Sequence, residues 1–158
     1  MRISEQIFPR VVALICSTDG KKDNVMTASF LMPVSFEPKY VAVSVAPQRK
    51  TFQNFQKIPQ FTLNILEENM KEEALICGTF SGRDTDKFKK AKLKKEKSKF
   101  VLPPSIKNCP ISFECEIELI EEAGDHYLIL ARVVAEKIRK KKFSPLLHKT
   151  KDIFPKIK

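Results

Sequence analysis

The sequence predicts a mainly β fold, a small antiparallel β-barrel that carries short helices. Three observations predict it. About six apolar, β-rich runs follow one another at short spacing, separated by Gly, Pro and Asp turn signals. Three stretches between them read as short helices, and there is no internal repeat. The chain has 158 residues, 42% of them hydrophobic and 30% charged, which is one domain's length of ordinary globular composition. Such a chain buries roughly 69% of its unfolded surface, enough for a core without disulfides or metal.

The elements follow in order. Val11-Val-Ala-Leu-Ile-Cys16 is a first strand, ended by Asp19-Gly20 and a polar stretch, and Val25 to Phe30 completes a hairpin. Tyr40 to Val45 alternates with period two between Pro38 and Pro47. Thr51 is placed to N-cap a short helix with Phe52, Phe55 and Ile58 on its apolar face, before Pro59. Phe61, Leu63 and Ile65 mark one face of another strand. Glu67 to Cys77 reads as a helix stopped by Gly78, and Asp84 to Leu93 as a second, capped by Asp84 or Thr85. Phe113, Cys115, Ile117 and Leu119 alternate with Glu114, Glu116 and Glu118, a strand with one wet face. A turn at Glu122 to Asp125 leads into Tyr127 to Val134, apolar on both faces except Arg132, which implies cover by a second layer or a second subunit. The domain is expected to span residues 1–136, followed by a basic tail over 137–158.

Composition excludes several function classes. No apolar run approaches the roughly 18 residues of a membrane span. MRISEQIFPR lacks a signal-peptide core, so a reduced, cytoplasmic setting is expected. The glycines, Gly20, Gly78, Gly82 and Gly124, cannot spell a Rossmann or P-loop phosphate cradle. Cys16, Cys77, Cys109 and Cys115 form no C-x-x-C, and no metal site is expected. His126 and His148 are the only histidines, no G-x-S-x-G elbow accompanies them, and no catalytic side chain is assigned.

The net charge of +10 is confined. Asp86 to Lys99 carries +6 and Lys137 to Lys158 carries +8, so the other 122 residues hold −4. A nucleic-acid-binding module needs aromatic or arginine partners for bases, and only Phe88, Phe100, Phe143 and Phe154 are interleaved; that role is an alternative limited to phosphate contact. Twenty-three lysines and 13 glutamates against six arginines are a bias typical of proteins from hot environments.

Four separated motifs then occur in order. They are Asn24-Val-Met-Thr-Ala-Ser29 leading into Met32 to Pro38; Ser44 followed by Gln48-Arg-Lys-Thr-Phe-Gln-Asn54; Cys77-Gly-Thr-Phe-Ser-Gly-Arg-Asp-Thr-Asp-Lys-Phe88; and Gly124-Asp-His-Tyr-Leu-Ile129. Over about residues 9–138 the chain resembles the flavin reductase-like family of FMN-binding split barrels, which includes flavoredoxins and archaeal ferric reductases. The resemblance implies a Greek-key split barrel, a homodimer with flavin at the subunit interface, and an FMN-dependent oxidoreductase. Electrons would pass from NAD(P)H through FMN to free flavin, ferric iron or a redox protein. The alternative is a flavoredoxin-like carrier that does not oxidise NAD(P)H directly.

Particular residues fit these roles. Thr27, Ala28 and Ser29 are small enough for backbone groups beside them to approach a flat ring, and Asn24 opens their motif. Arg49, Lys50 and Thr51 put two cations and a hydroxyl at a helix N-terminus, a phosphate site by charge and dipole together. Asn54 either braces that loop or reaches the ribityl chain. By resemblance, Ser44 contacts the phosphate or ribityl group, and His126 sits where nicotinamide meets flavin. Hydride transfer between two cofactors requires no protein acid or base, because the cofactor carries the chemistry. The stretch Lys89 to Lys99 and the basic tail after Lys137 match no motif, so neither is expected to be needed for flavin binding.

Overall fold

A computed structural model describes residues 1–157. The elements are α1 (Ile3–Gln6), β1 (Arg10–Val11), β2 (Ala13–Thr18), β3 (Asp23–Ala28), β4 (Leu31–Ser35), β5 (Tyr40–Val45), α2 (Lys50–Lys57), β6 (Gln60–Ile65), α3 (Lys71–Thr79), α4 (Lys87–Lys90), β7 (Lys95–Glu96), β8 (Ser105–Ile106), β9 (Ile111–Ala123), β10 (His126–Ile138) and β11 (Leu147–His148). Seven strands form one antiparallel sheet in the order β3-β2-β6-β9-β10-β5-β4. The first hairpin, β5, α2 and β6 stand where the sequence places them.

The sheet curls, and the burial pattern shows why. Ala13 and Ile15 of β2, Met26 and Ala28 of β3, Val43 and Val45 of β5, Phe61 and Leu63 of β6, and Ile129 and Ala131 of β10 share one core with Phe52 and Phe55 of α2. Strands near opposite ends of the sheet reach the same side chains only if it wraps around them. The opposite face of β2, bearing Leu14 and Cys16, together with the adjoining Val12, is covered by a second cluster that includes Ala74 and Cys77 of α3, Phe88 of α4 and Leu146. β2 is therefore buried on both faces and reads as an unbroken apolar run.

The differences from the sequence reading have physical causes. The backbone of residues 67 and 68 is taken by the C-terminal segment, with Glu67 bridged to Pro145 and Glu68 N–H donating to Ser144 O at 2.9 Å, so α3 starts only at Lys71. The helix expected over 84–93 contracts to α4, with Asp86 as its N-cap. Thr51 is the second helical residue and Arg49 is the N-cap of α2. The wet face of β9 is not wet throughout. Glu114 is 9% exposed and accepts N–H bonds from Lys99 (2.8 Å), Phe100 (2.6 Å) and Val101 (3.2 Å), so it caps the end of the lysine-rich segment.

The chain beyond Ile138 returns to the sheet. Leu146 is 2% exposed. Its carbonyl accepts from Val12 at 2.9 Å, its N–H donates to Leu66 O at 2.9 Å, and Leu66 N–H donates to Val12 O at 3.1 Å, a closed triangle of three remote segments. β11 then pairs with β1, Leu147 opposite Val11 and His148 opposite Arg10. No helix among the described residues is long and apolar enough to cross a membrane.

Candidate functional site

The site is a groove of three adjoining hollows, about 340, 170 and 240 Å³, between β3, the β5–α2 loop, the α3–α4 loop and the C-terminal segment. Met26, Ala46 and Arg49 line both the first and second; Thr27 and Ser29 line both the second and third. Its two ends differ in chemistry.

One end gathers positive charge. Arg49 caps α2 with extended backbone (φ −71°), and the first intrahelical bond runs from Phe52 N–H to its carbonyl at 3.1 Å. The amides of Lys50 and Thr51 precede that bond and carry the positive end of the helix dipole. Lys50 Nζ lies 3.4 Å from Asp19 Oδ2, and the Lys22 and Lys21 amides hold that carboxyl well below the usual carboxylate range. No carboxylate pairs with Arg49 among the described residues. Lys87 joins the lining although only 5% exposed. Its Nζ donates to Cys77 O at 3.2 Å, and burial pushes its ammonium down to about 8, with the Arg49 charge adding in the same direction. A buried ammonium without a carboxylate is costly, and an anion in the groove relieves that cost.

The middle of the groove is shaped by Asn24 and Gly82. Asn24 Nδ2 donates to the Thr51 hydroxyl at 3.0 Å, while its buried Oδ1 has no protein partner among the described residues. A Cβ at Gly82 would stand 1.8 Å from that Oδ1, so only glycine admits this approach. Arg83 Nη2 donates to Gln48 O at 2.7 Å and clips the α3–α4 loop to the β5–α2 loop.

The other end is narrow and lined by small residues. Thr27, Ala28, Ser29 and Ser44 line it, with His126 at the start of β10. Thr27 Oγ1 donates to Ala74 O at 2.6 Å, tying β3 to α3, and Ser44 N–H donates to Phe30 O at 2.9 Å. The His126 ring lies 5.7 Å from that of Phe30, and its Nδ1 is 2.6 Å from Asp125 Oδ1.

Asn24, Thr27, Ala28, Ser29, Ser44, Arg49, Lys50, Thr51 and His126 thus meet on one groove. Asn54 does not: fully buried, it donates to Ser17 Oγ at 3.0 Å and braces the loop from behind. Sequence reasoning missed Lys87, Gly82, Arg83 and His148. The 77–88 motif held the first three, but a lysine in a lysine-rich run gives no sign of burial. The cysteines offer no nucleophile, since burial pushes the thiols of Cys77 and Cys109 up to about 12 and raises those of Cys16 and Cys115 as well.

The sequence matches the family described as "Flavin reductase like domain" over residues 4–155. An uncharacterized protein of Archaeoglobus fulgidus is 32% identical over 130 residues, covering 82% of this chain and 73% of its own. The reductase component of the flavin-dependent trigonelline monooxygenase of Acinetobacter baylyi is 30% identical over 122 residues, covering 77% of this chain but 37% of its own. An FMN-binding protein of Thermus thermophilus has the same fold, with a TM-score of 0.87, 22% identity and coverage of 96% of this chain and 88% of that one.

Proposed function

The chain belongs to the flavin reductase-like domain family, and from that premise we propose that it is an FMN-dependent oxidoreductase that takes electrons from NAD(P)H and passes them through FMN in this groove to an acceptor. The observation that carries the proposal is the pairing of two ends in one groove. Lys87 and Arg49, cations without carboxylate partners among the described residues, stand at one end, and the small residues Thr27 to Ser29 stand at the other.

That asymmetry suits a flat ring joined to a phosphate. Arg49, Lys87 and the first amides of α2 would hold the phosphate, with Lys50 shared with Asp19. The unpartnered Asn24 Oδ1 is an acceptor for a ribityl hydroxyl, and the glycine at 82 leaves room for the chain between the ends. Thr27, Ala28, Ser29 and Ser44 would face the ring, with His126 at the rim toward the nicotinamide. Bound FMN supplies the hydride and single-electron chemistry. The protein's part is to bind, orient and exclude water.

A homodimer fits the apolar surface beside the groove, where Met32, Val34 and Phe36 (98% exposed) follow one another from β4 and Leu128 lies on β10. The monooxygenase reductase among its relatives favours free oxidised flavin as the acceptor, with reduced flavin as the product. The test is reconstitution with FMN or FAD, gel filtration, and anaerobic mixing with NADH or NADPH. Retained FMN that bleaches on mixing is the expected result. Retained FMN that does not bleach identifies the flavoredoxin-like carrier, and no retained flavin refutes both.

A further inference from the structure

His148 fixes the polarity of one hydroxyl in the groove. Its Nε2 lies 3.0 Å from the Lys151 carbonyl, which can only accept. Its Nδ1 lies 3.3 Å from Arg10 Nη2, which can only donate. One protonation state satisfies both contacts: the neutral ring with its proton on Nε2. Ser29 Oγ sits 3.2 Å from the same Nδ1. That nitrogen carries no proton and one lone pair. Arg10 Nη2 makes its shorter bond to Lys149 O at 2.7 Å, which leaves the lone pair to the hydroxyl as donor, and Ser29 turns its own lone pairs to the groove.

The arrangement is held from several sides. The Phe154 ring packs 5.3 Å from the imidazole, Arg10 Nη2 also donates to Lys149 O at 2.7 Å, and Arg10 stands opposite His148 in the β1–β11 ladder. Arg10 Nη1 donates to the carbonyls of Ser4 and Ile7, so the segment before β1 steadies the same guanidinium. Thr27 behaves in parallel, spending its hydrogen on Ala74 O. The hydroxyls of Thr27 and Ser29 are therefore both acceptors toward a ligand at this end of the groove.

We infer that His148 is a positioning residue that commits Ser29 to accepting, so that this end of the groove takes a flavin ring by an N–H edge and disfavours a carbonyl edge. The inference rests on the flavin reading above, and it gives the C-terminal segment a place in the site that no motif in that segment announces.

Two measurements test it. Nitrogen-15 NMR of the wild-type protein without ligand reads the imidazole directly; a proton on Nε2 of His148 is expected, and one on Nδ1 overturns the assignment. FMN dissociation constants are then measured by fluorescence quenching for wild type, His148→Phe, His148→Asn, Ser29→Ala and the His148→Phe/Ser29→Ala pair. Phenylalanine keeps a ring against Phe154 and removes the acceptor, whereas asparagine restores an oxygen near the Nδ1 position. Binding should weaken about five- to tenfold in His148→Phe, recover in His148→Asn, and lose nothing further when His148→Phe is combined with Ser29→Ala. Unchanged affinity in His148→Phe, or losses that simply add, overturn the positioning role and leave the flavin function standing. Wild-type protein that binds no flavin overturns both.

Discussion

Replacing Lys87 with methionine separates what a buried charge costs the fold from what it does for an anion. The side chain is 5% exposed, its one hydrogen-bond acceptor among the described residues is Cys77 O at 3.2 Å, and burial lowers its ammonium from 10.5 to about 8. That gap corresponds to about 3 kcal/mol. The unfolded chain takes up this proton below pH 10.5 and the folded chain only below 8. The burden on the fold is therefore complete below pH 8 and absent above 10.5. Subtracting about 1 kcal/mol for the lost bond to Cys77, Lys87→Met without ligand should be more stable by about 2 kcal/mol at about pH 7. The advantage should disappear as the pH rises from 8 to 10.5. FMN binding should respond in the opposite sense. Loss of a charge-assisted bond of about 1.5–3 kcal/mol weakens FMN roughly ten- to hundredfold and leaves riboflavin unchanged. Wild-type affinity for FMN should also fall as the pH rises past about 8, where the free protein's Lys87 loses its charge, and the variant should lack that limb. Thermal melts and fluorescence quenching between about pH 6.5 and 10 measure both effects. A variant that binds FMN like the wild type, or keeps its alkaline limb, would refute the placement of phosphate at Lys87.

Four further predictions concern other parts of the chain. Arg49→Ala should weaken FMN roughly ten- to hundredfold and riboflavin hardly at all; equal losses in the two titrations would remove Arg49 from the phosphate. Gly82→Ala forces Asn24 off its buried bond to Thr51, so calorimetric FMN titration should show weaker binding, and the melting temperature should fall with the loss of about 1–3 kcal/mol. Glu114→Ala leaves three N–H groups without their acceptor and should lower stability by about 2–4 kcal/mol in urea unfolding. The bond from Arg139, then that from Lys137, holds the Glu96 carboxyl down at about 2 against an ordinary 4.5. Its contribution is present above pH 4.5 and lost as the pH falls toward 2, so Glu96→Gln should flatten the acid limb of the stability profile.

The sequence revealed most where a local pattern decides structure. Period-two alternation at Tyr40 to Val45 sets β5, and turn residues at Asp19-Gly20 set the first hairpin, because neither depends on distant chain. Arg49, Lys50 and Thr51 were legible as two cations and a hydroxyl at a helix start because charge beside a helix start is a local feature. Glu114 was misread because its three partners arrive from residues 99–101, and alternation alone cannot tell a carboxylate in water from one that caps a loop. Lys87 and His148 were invisible for the same reason. Each draws its meaning from what folds over it, Cys77 and Arg49 around one, Arg10 and Ser29 around the other.

The triangle of Val12, Leu66 and Leu146 bears on the order in which the protein forms on the ribosome. β2 and β3 can pair as soon as both have emerged, and α3 and α4 can then cover much of the outer face of β2, but the backbone triangle beside Val12 stays open until Leu146 arrives. Between Leu66 and Leu146 lie roughly 80 residues, or about 4–16 s of synthesis at ~5–20 residues per second. Through that interval the cluster over Val12, Leu14 and Cys16 lacks its last member and leaves an apolar gap open to solvent or to a chaperone. The final closure joins segments more than about 130 positions apart, a contact whose loop entropy is met late and slows the last step of folding. Slower translation would lengthen the exposure, so the yield of folded protein should depend on elongation rate between those two leucines more than anywhere downstream.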